Sequence, residues 1–118
     1  MNIDSKVSLI RGETKVWKFQ RKDGSGSIIT TMPDEVYCTI KANYDDDSYI
    51  IQKTYGNSEI TYDSGWWYIT LSAAETLTLN PGKYVIDVKV ITDSGATYVV
   101  HPQTLTVIPN VTDRKSVV

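Results

Sequence analysis

The sequence predicts an all-β fold, an immunoglobulin-like antiparallel β-sandwich of about seven to nine strands. Three observations carry that prediction. The first is Leu79-Asn80-Pro81-Gly82-Lys83-Tyr84, running into Val85-Ile86-Asp87-Val88-Lys89-Val90. Pro81 fixes φ and Gly82 accepts positive φ, so the pair makes a tight turn. Tyr84 then enters a strand with its ring against the core and its hydroxyl free to reach back. That arrangement is the tyrosine corner at the start of strand F in such sandwiches. The second observation is the rhythm of short strand-like segments, with turn signals every ~8–12 residues. The third is negative: helical period is nearly absent and no βαβ alternation appears.

The elements follow in order. Ile3 to Arg11 places Ile3, Val7 and Leu9 on one face, and Gly12 interrupts it. Glu13 to Gln20 sets Trp17 and Phe19 together, with Lys15 on their side, and predicts both rings buried. Asp23-Gly24-Ser25-Gly26 is a turn. Ile28 to Thr31 reads as a short edge piece, since Pro33 argues against a central strand. Val36 to Ala42 is buried through Val36, Cys38 and Ile40. Asn43 to Asp47 is an acidic loop. Ser48 to Thr54 is a strand whose inward face is open between Ile50 and Ile51. Ile60 to Tyr62 and Trp66 to Leu71 flank Asp63-Ser64-Gly65, a hairpin with Gly65 left-handed. Its second arm points Trp67, Ile69 and Leu71 one way, and Trp66, Tyr68 and Thr70 the other.

Ser72-Ala73-Ala74-Glu75 is a capping box that opens about one helical turn. The strand after the corner buries Tyr84, Ile86, Val88 and Val90. A second Asp-Ser-Gly turn, Asp93 to Gly95, leads to a last strand from Thr97 to Ile108, broken at His101-Pro102. Residues 1–109 thus read as one sandwich domain, and 110–118 as a polar tail, frayed or docked on a partner.

Composition narrows the function. The 118 residues carry a net charge of −2, which argues against binding nucleic acid by phosphate neutralisation. No stretch is long and apolar enough to span a bilayer, and Met1 to Lys6 lacks the apolar core of a signal peptide. The sequon Asn110-Val111-Thr112 is then incidental. Cys38 is the single cysteine, so no intrachain disulfide forms and the thiol reads as a small buried apolar group. His101 is the single histidine, which leaves no metal-binding pair and no catalytic constellation. Asp45-Asp46-Asp47 lacks the alternating spacing that curls around calcium and reads as a solvated loop. No cofactor, metal or enzymatic activity is expected.

The aromatic residues are the remaining candidates. Trp66 and Trp67 are neighbours on a strand, so one faces in and the other out. Tyr68, Tyr37 and Tyr49 also read as outward. An outward Trp serves a protein interface, stacks on a sugar, or is covered by another part of the chain. The structural positions are Tyr84, Pro81, Gly82, Trp17 and Cys38.

Several segments together resemble a known family. They are Arg11-Gly12-Glu13-Thr14-Lys15-Val16-Trp17-Lys18-Phe19-Gln20, the Asp23-Gly24 turn, Val36-Tyr37-Cys38-Thr39-Ile40-Lys41, Ile69 to Glu75, Pro81-Gly82-Lys83-Tyr84 with its strand, and Leu105-Thr106-Val107. The ordered set, across residues 9 to 108, resembles the N-terminal domain of phage baseplate upper proteins, small Ig-like sandwiches of phage tails and related virion proteins. In that family the domain often heads a longer chain. Here the sequence stops soon after it, which leaves open a stand-alone head, neck or tail decoration protein. The resemblance implies a non-enzymatic virion structural protein, assembled in the bacterial cytoplasm. Its partners would be other virion proteins or further copies of itself, with a host surface glycan as another candidate. A carbohydrate-binding module built on Trp66, Tyr68 and other exposed aromatics is the alternative.

Overall fold

The computed structural model describes residues 7–92, 94–95, 97–99 and 103–109. These form β1 (Val7–Ile10), β2 (Lys15–Phe19), β3 (Glu35–Lys41), β4 (Ile51–Thr54), β5 (Ile60–Asp63), β6 (Trp66–Leu71), α1 (Ala73–Leu77), β7 (Gly82–Ile91), β8 (Thr97–Val99) and β9 (Gln103–Ile108). The larger sheet runs β1-β9-β7-β3-β4, with β8 also on β7, and the smaller runs β2-β6-β5. β9 pairs with Gly82–Ile86 of β7 and β8 with Lys89–Ile91, so the two are halves of one interrupted strand. The expected break at His101-Pro102 falls between them, although those two residues lie outside the described ones. The tail from 110, its sequon and Ile3 also lie outside.

Period-two alternation fills the space between the sheets. Val36, Cys38 and Ile40 from β3 meet Ile86, Val88 and Val90 from β7, and Trp67, Ile69 and Leu71 from β6 close the core from the other layer. Trp67 is only 1% exposed. It stacks on Phe19 at 6.2 Å and meets Tyr55 edge-on at 5.2 Å. The β5–β6 hairpin turns on Ser64 (φ 51°) and Gly65 (φ 88°), two residues with positive φ, as the tight hairpin turn matching strand twist requires. Ser72 caps α1, and its hydroxyl and backbone N–H exchange hydrogen bonds with Glu75 as the capping box predicts.

The tyrosine corner is present. Tyr84 Oη donates to the Asn80 carbonyl at 2.8 Å, and Gly82 takes φ 144°. The Arg11-Gly12-Glu13 turn docks on the same pole. Arg11 Nε donates to the Leu79 carbonyl at 3.0 Å, and Gly12 N–H donates to Thr76 Oγ1 at 3.0 Å. Thr76 Oγ1 in turn donates to the Glu13 carbonyl at 2.8 Å. The two most distinctive sequence segments are therefore two halves of one hydrogen-bonded knot.

Four local expectations are corrected. Trp17 is half-buried, although Phe19 on the same face of rim strand β2 is buried; its ring packs against the core without being enclosed by it. Tyr84 is likewise half-buried, since its hydroxyl must surface to reach the corner. The strand expected over 48–54 starts at Ile51, which packs on the core while Ile50 is 43% exposed. Ile28 to Thr31 forms no strand; a single bridge from Ile28 to Lys22 remains, next to the Asp23 turn. The pairing is also not wholly antiparallel: β1 runs parallel to β9, from Val7 opposite Leu105 to Ile10 opposite Ile108. Parallel neighbours need a long connection, and these two strands lie at opposite ends of the chain.

Candidate functional site

The strand phases separate the four outward aromatics into two pairs on opposite sides of the sandwich. Trp66 and Tyr68 sit on the outer face of the smaller sheet, because their neighbours Trp67 and Ile69 face the core. Tyr37 lies on the outer face of the larger sheet, between inward Val36 and Cys38, and Tyr49 joins it there. A single platform built from all four rings does not exist.

On the smaller sheet the outward aromatics stand beside an outward cation. β2 pairs with β6 in a register that sets Lys18 opposite Tyr68 and one step from Trp66. The Lys18 ammonium lies 4.7 Å from the centre of the Trp66 ring, a cation–π contact worth about 0.5–1 kcal/mol at an exposed site. Val16, beside them on β2, is 50% exposed. Sequence reasoning picked Trp66 but missed Lys18, since the strand pairing that joins them is non-local.

On the larger sheet the face is concave. An open depression of ≈ 360 Å³ is lined by Tyr37 and Tyr49 together with Lys41, Asp47, Asp87 and Lys89. Tyr49 is 55% exposed. Partial burial pushes the Asp87 carboxyl above its ordinary value, against the pull of Lys41 and Lys89 on either side. Asp46, central in the acidic run, ties up its own loop: its carboxylate accepts from Asn43 N–H at 3.0 Å and its carbonyl from Lys41 Nζ at 2.8 Å. Among the described residues no group of three or more His, Cys, Asp or Glu is placed to hold a metal ion. No helix among them is long and apolar enough to cross a membrane.

Two further polar groups belong to the scaffold. Lys53 points inward from rim strand β4 and forms an ion pair with Glu75 of the capping box, with Glu59 3.8 Å away. Burial raises the Glu75 carboxyl, but the hydrogen bonds from Lys53 and Ser72 outweigh it and hold it below its ordinary value. Cys38 is buried, and desolvation, reinforced by the charge of Asp87, pushes its thiol up to about 12. It is no nucleophile.

Two layers, a tyrosine corner and a split last strand define this chain as an immunoglobulin-like β-sandwich. Among solved structures it is similar to CopC from Methylosinus trichosporium OB3b, at 16% identity and a TM-score of 0.51, over 91% of this chain and 87% of that one. At that identity the likeness concerns the fold alone. No known family profile and no curated protein sequence matches the chain.

Proposed function

We propose that this chain is a non-enzymatic structural protein of a phage or prophage virion, which acts by docking its sandwich onto neighbouring virion subunits or further copies of itself. The observation that carries this reading is the aromatic outer face of the smaller sheet. There Trp66 stands outward under the Lys18 ammonium, beside Tyr68 and the half-exposed Val16. An outward Trp beside a Tyr matches the composition of interface centres, where aromatic anchors dominate the energy. The resemblance to baseplate upper protein N-terminal domains supports the virion setting. The segments that carry it include the Arg11 turn and the Tyr84 corner, which meet at one pole of this sandwich and brace it, and strand β2, whose Val16 and Lys18 stand on the docking face itself.

The test is assembly. Purified protein is expected to self-associate or to co-purify with virion particles of its phage. Trp66→Ala should weaken that association by about 2 kcal/mol or more. A strictly monomeric protein absent from particles would defeat the proposal.

A further inference from the structure

The depression on the other face asks for a different kind of ligand. Its two lysines and two aspartates cancel, so it offers no net charge to an ion. Some of its polar groups are engaged, since Lys41 Nζ donates to the Asp46 carbonyl and Gln52 Nε2 to Thr39 Oγ1 at 3.2 Å, but others are left open. Among the described residues, the side chains of Asp47, Asp87 and Lys89 and the hydroxyls of Tyr37 and Tyr49 make no hydrogen bond to the protein, and Asp87 feels Lys41 and Lys89 only through space. Acceptors, donors and two aromatic rings therefore border one shallow concavity. Carboxylates and an ammonium at hydrogen-bond range suit a ligand carrying many hydroxyls, each both donor and acceptor. Aromatic rings with a polar tip suit a ligand whose other surface is C–H. A neutral pyranose presents both surfaces at once, whereas a peptide of either charge sign would meet two like charges. An open depression, in place of a closed pocket, fits units within a chain and not a small isolated molecule.

We propose that the depression bordered by Tyr37, Tyr49, Asp47, Asp87, Lys41 and Lys89 is a binding site for a neutral oligosaccharide. The site stands apart from the protein-docking face and goes beyond that reading. It also moves sugar recognition from Trp66 and Tyr68 to the other two outward aromatics, Tyr37 and Tyr49.

The experiment is an NMR titration of the intact chain with three neutral probes, maltohexaose, cellohexaose and chitohexaose, each to about 10 mM, where a weak site of millimolar affinity fills. At least one probe is expected to shift the ring resonances of Tyr37 and Tyr49 and leave those of Trp66 in place. Tyr49→Ala, at a position 55% exposed to solvent, should weaken binding about ten-fold. Asp87→Asn, which keeps the shape and removes the charge, should weaken it less but measurably. Trp66→Ala should bind the sugar as the unaltered chain does, which separates this site from the assembly face whichever way the assembly test falls. No response to any of the three probes, or a response centred on Trp66 and Tyr68, overturns the proposal.

Discussion

The two outer faces of this sandwich carry similar side chains and put them to opposite use. On the smaller sheet the exposed cation is already engaged, since Lys18 lies over Trp66. The result is a surface whose cation already has an aromatic partner and which gains mainly by being covered. On the larger sheet Tyr37, Tyr49, Asp87 and Lys89 border a hollow and do not bond to one another. The result is a concave surface whose polar groups need a ligand or water. Composition would score the two faces alike. Strand register and curvature decide which is suited to a protein and which to a small hydroxylated chain.

The sharpest way to test that division is to compare adjacent tryptophans. Trp67→Ala removes the ring packed on Phe19, Tyr55 and Tyr62 and should cost about 3–5 kcal/mol in urea unfolding. Trp66→Ala removes an outward ring and one cation–π contact, and should cost about 1 kcal/mol or less in the monomer. Equal losses would mean that the outer face of the smaller sheet is part of the core, and the docking reading would go with it.

A smaller effect tests the pole that both faces depend on. Tyr84→Phe keeps the ring and deletes the hydrogen bond to Asn80, and should lower stability by about 0.5–1.5 kcal/mol. An unchanged unfolding midpoint would show that the Arg11–Leu79 and Gly12–Thr76 hydrogen bonds alone hold the corner.

The smallest effect contrasts a partnered carboxylate with an unpartnered one. Glu75 sits below its ordinary 4.5 in the folded chain, so its contribution is complete above that value and is lost as pH falls through the folded one. Asp87 sits above its ordinary 3.8, so the folded state binds its proton more tightly than the unfolded state does. Its penalty on folding applies above the folded value and fades as pH falls toward 3.8. Urea midpoints across the acid range should therefore show Glu75→Gln less stable than the unaltered chain near neutrality, with the gap closing in acid. Asp87→Asn should be slightly more stable near neutrality, with that gap also closing. Matching signs for the two variants would mean that Asp87 has a partner and that the hollow is already satisfied.

Much of this architecture was legible in the residues. Val36, Cys38 and Ile40 alternate too cleanly to face any way but inward, and Ser72 with Glu75 writes a cap that the helix uses. Pro81, Gly82 and Tyr84 announce their corner because every part of it lies within six positions. What stayed hidden is what pairing creates. Nothing local to Arg11 says that it will reach Leu79, and nothing local to Lys18 says that it will cover Trp66. Trp17 shows the same limit: its alternation points inward with Phe19, and nothing local says that its ring stays partly uncovered while Phe19 is buried. The four aromatics were each placed outward correctly, yet their division between two faces depends on which strand joins which sheet.

The parallel ladder between β1 and β9 has a mechanical meaning. Val7 and Ile108 stand at opposite ends of that ladder, one at each pole of the sandwich. Tension applied between them slides the two strands past each other along their length. Every N–H···O=C link between them is then strained together, and none can yield first and let the others unzip. Arg11 N–H, which donates to the Ile108 carbonyl at 2.9 Å, adds one more link that shares the load. A module strung in line between two anchored neighbours would meet a pulling load along its most resistant direction.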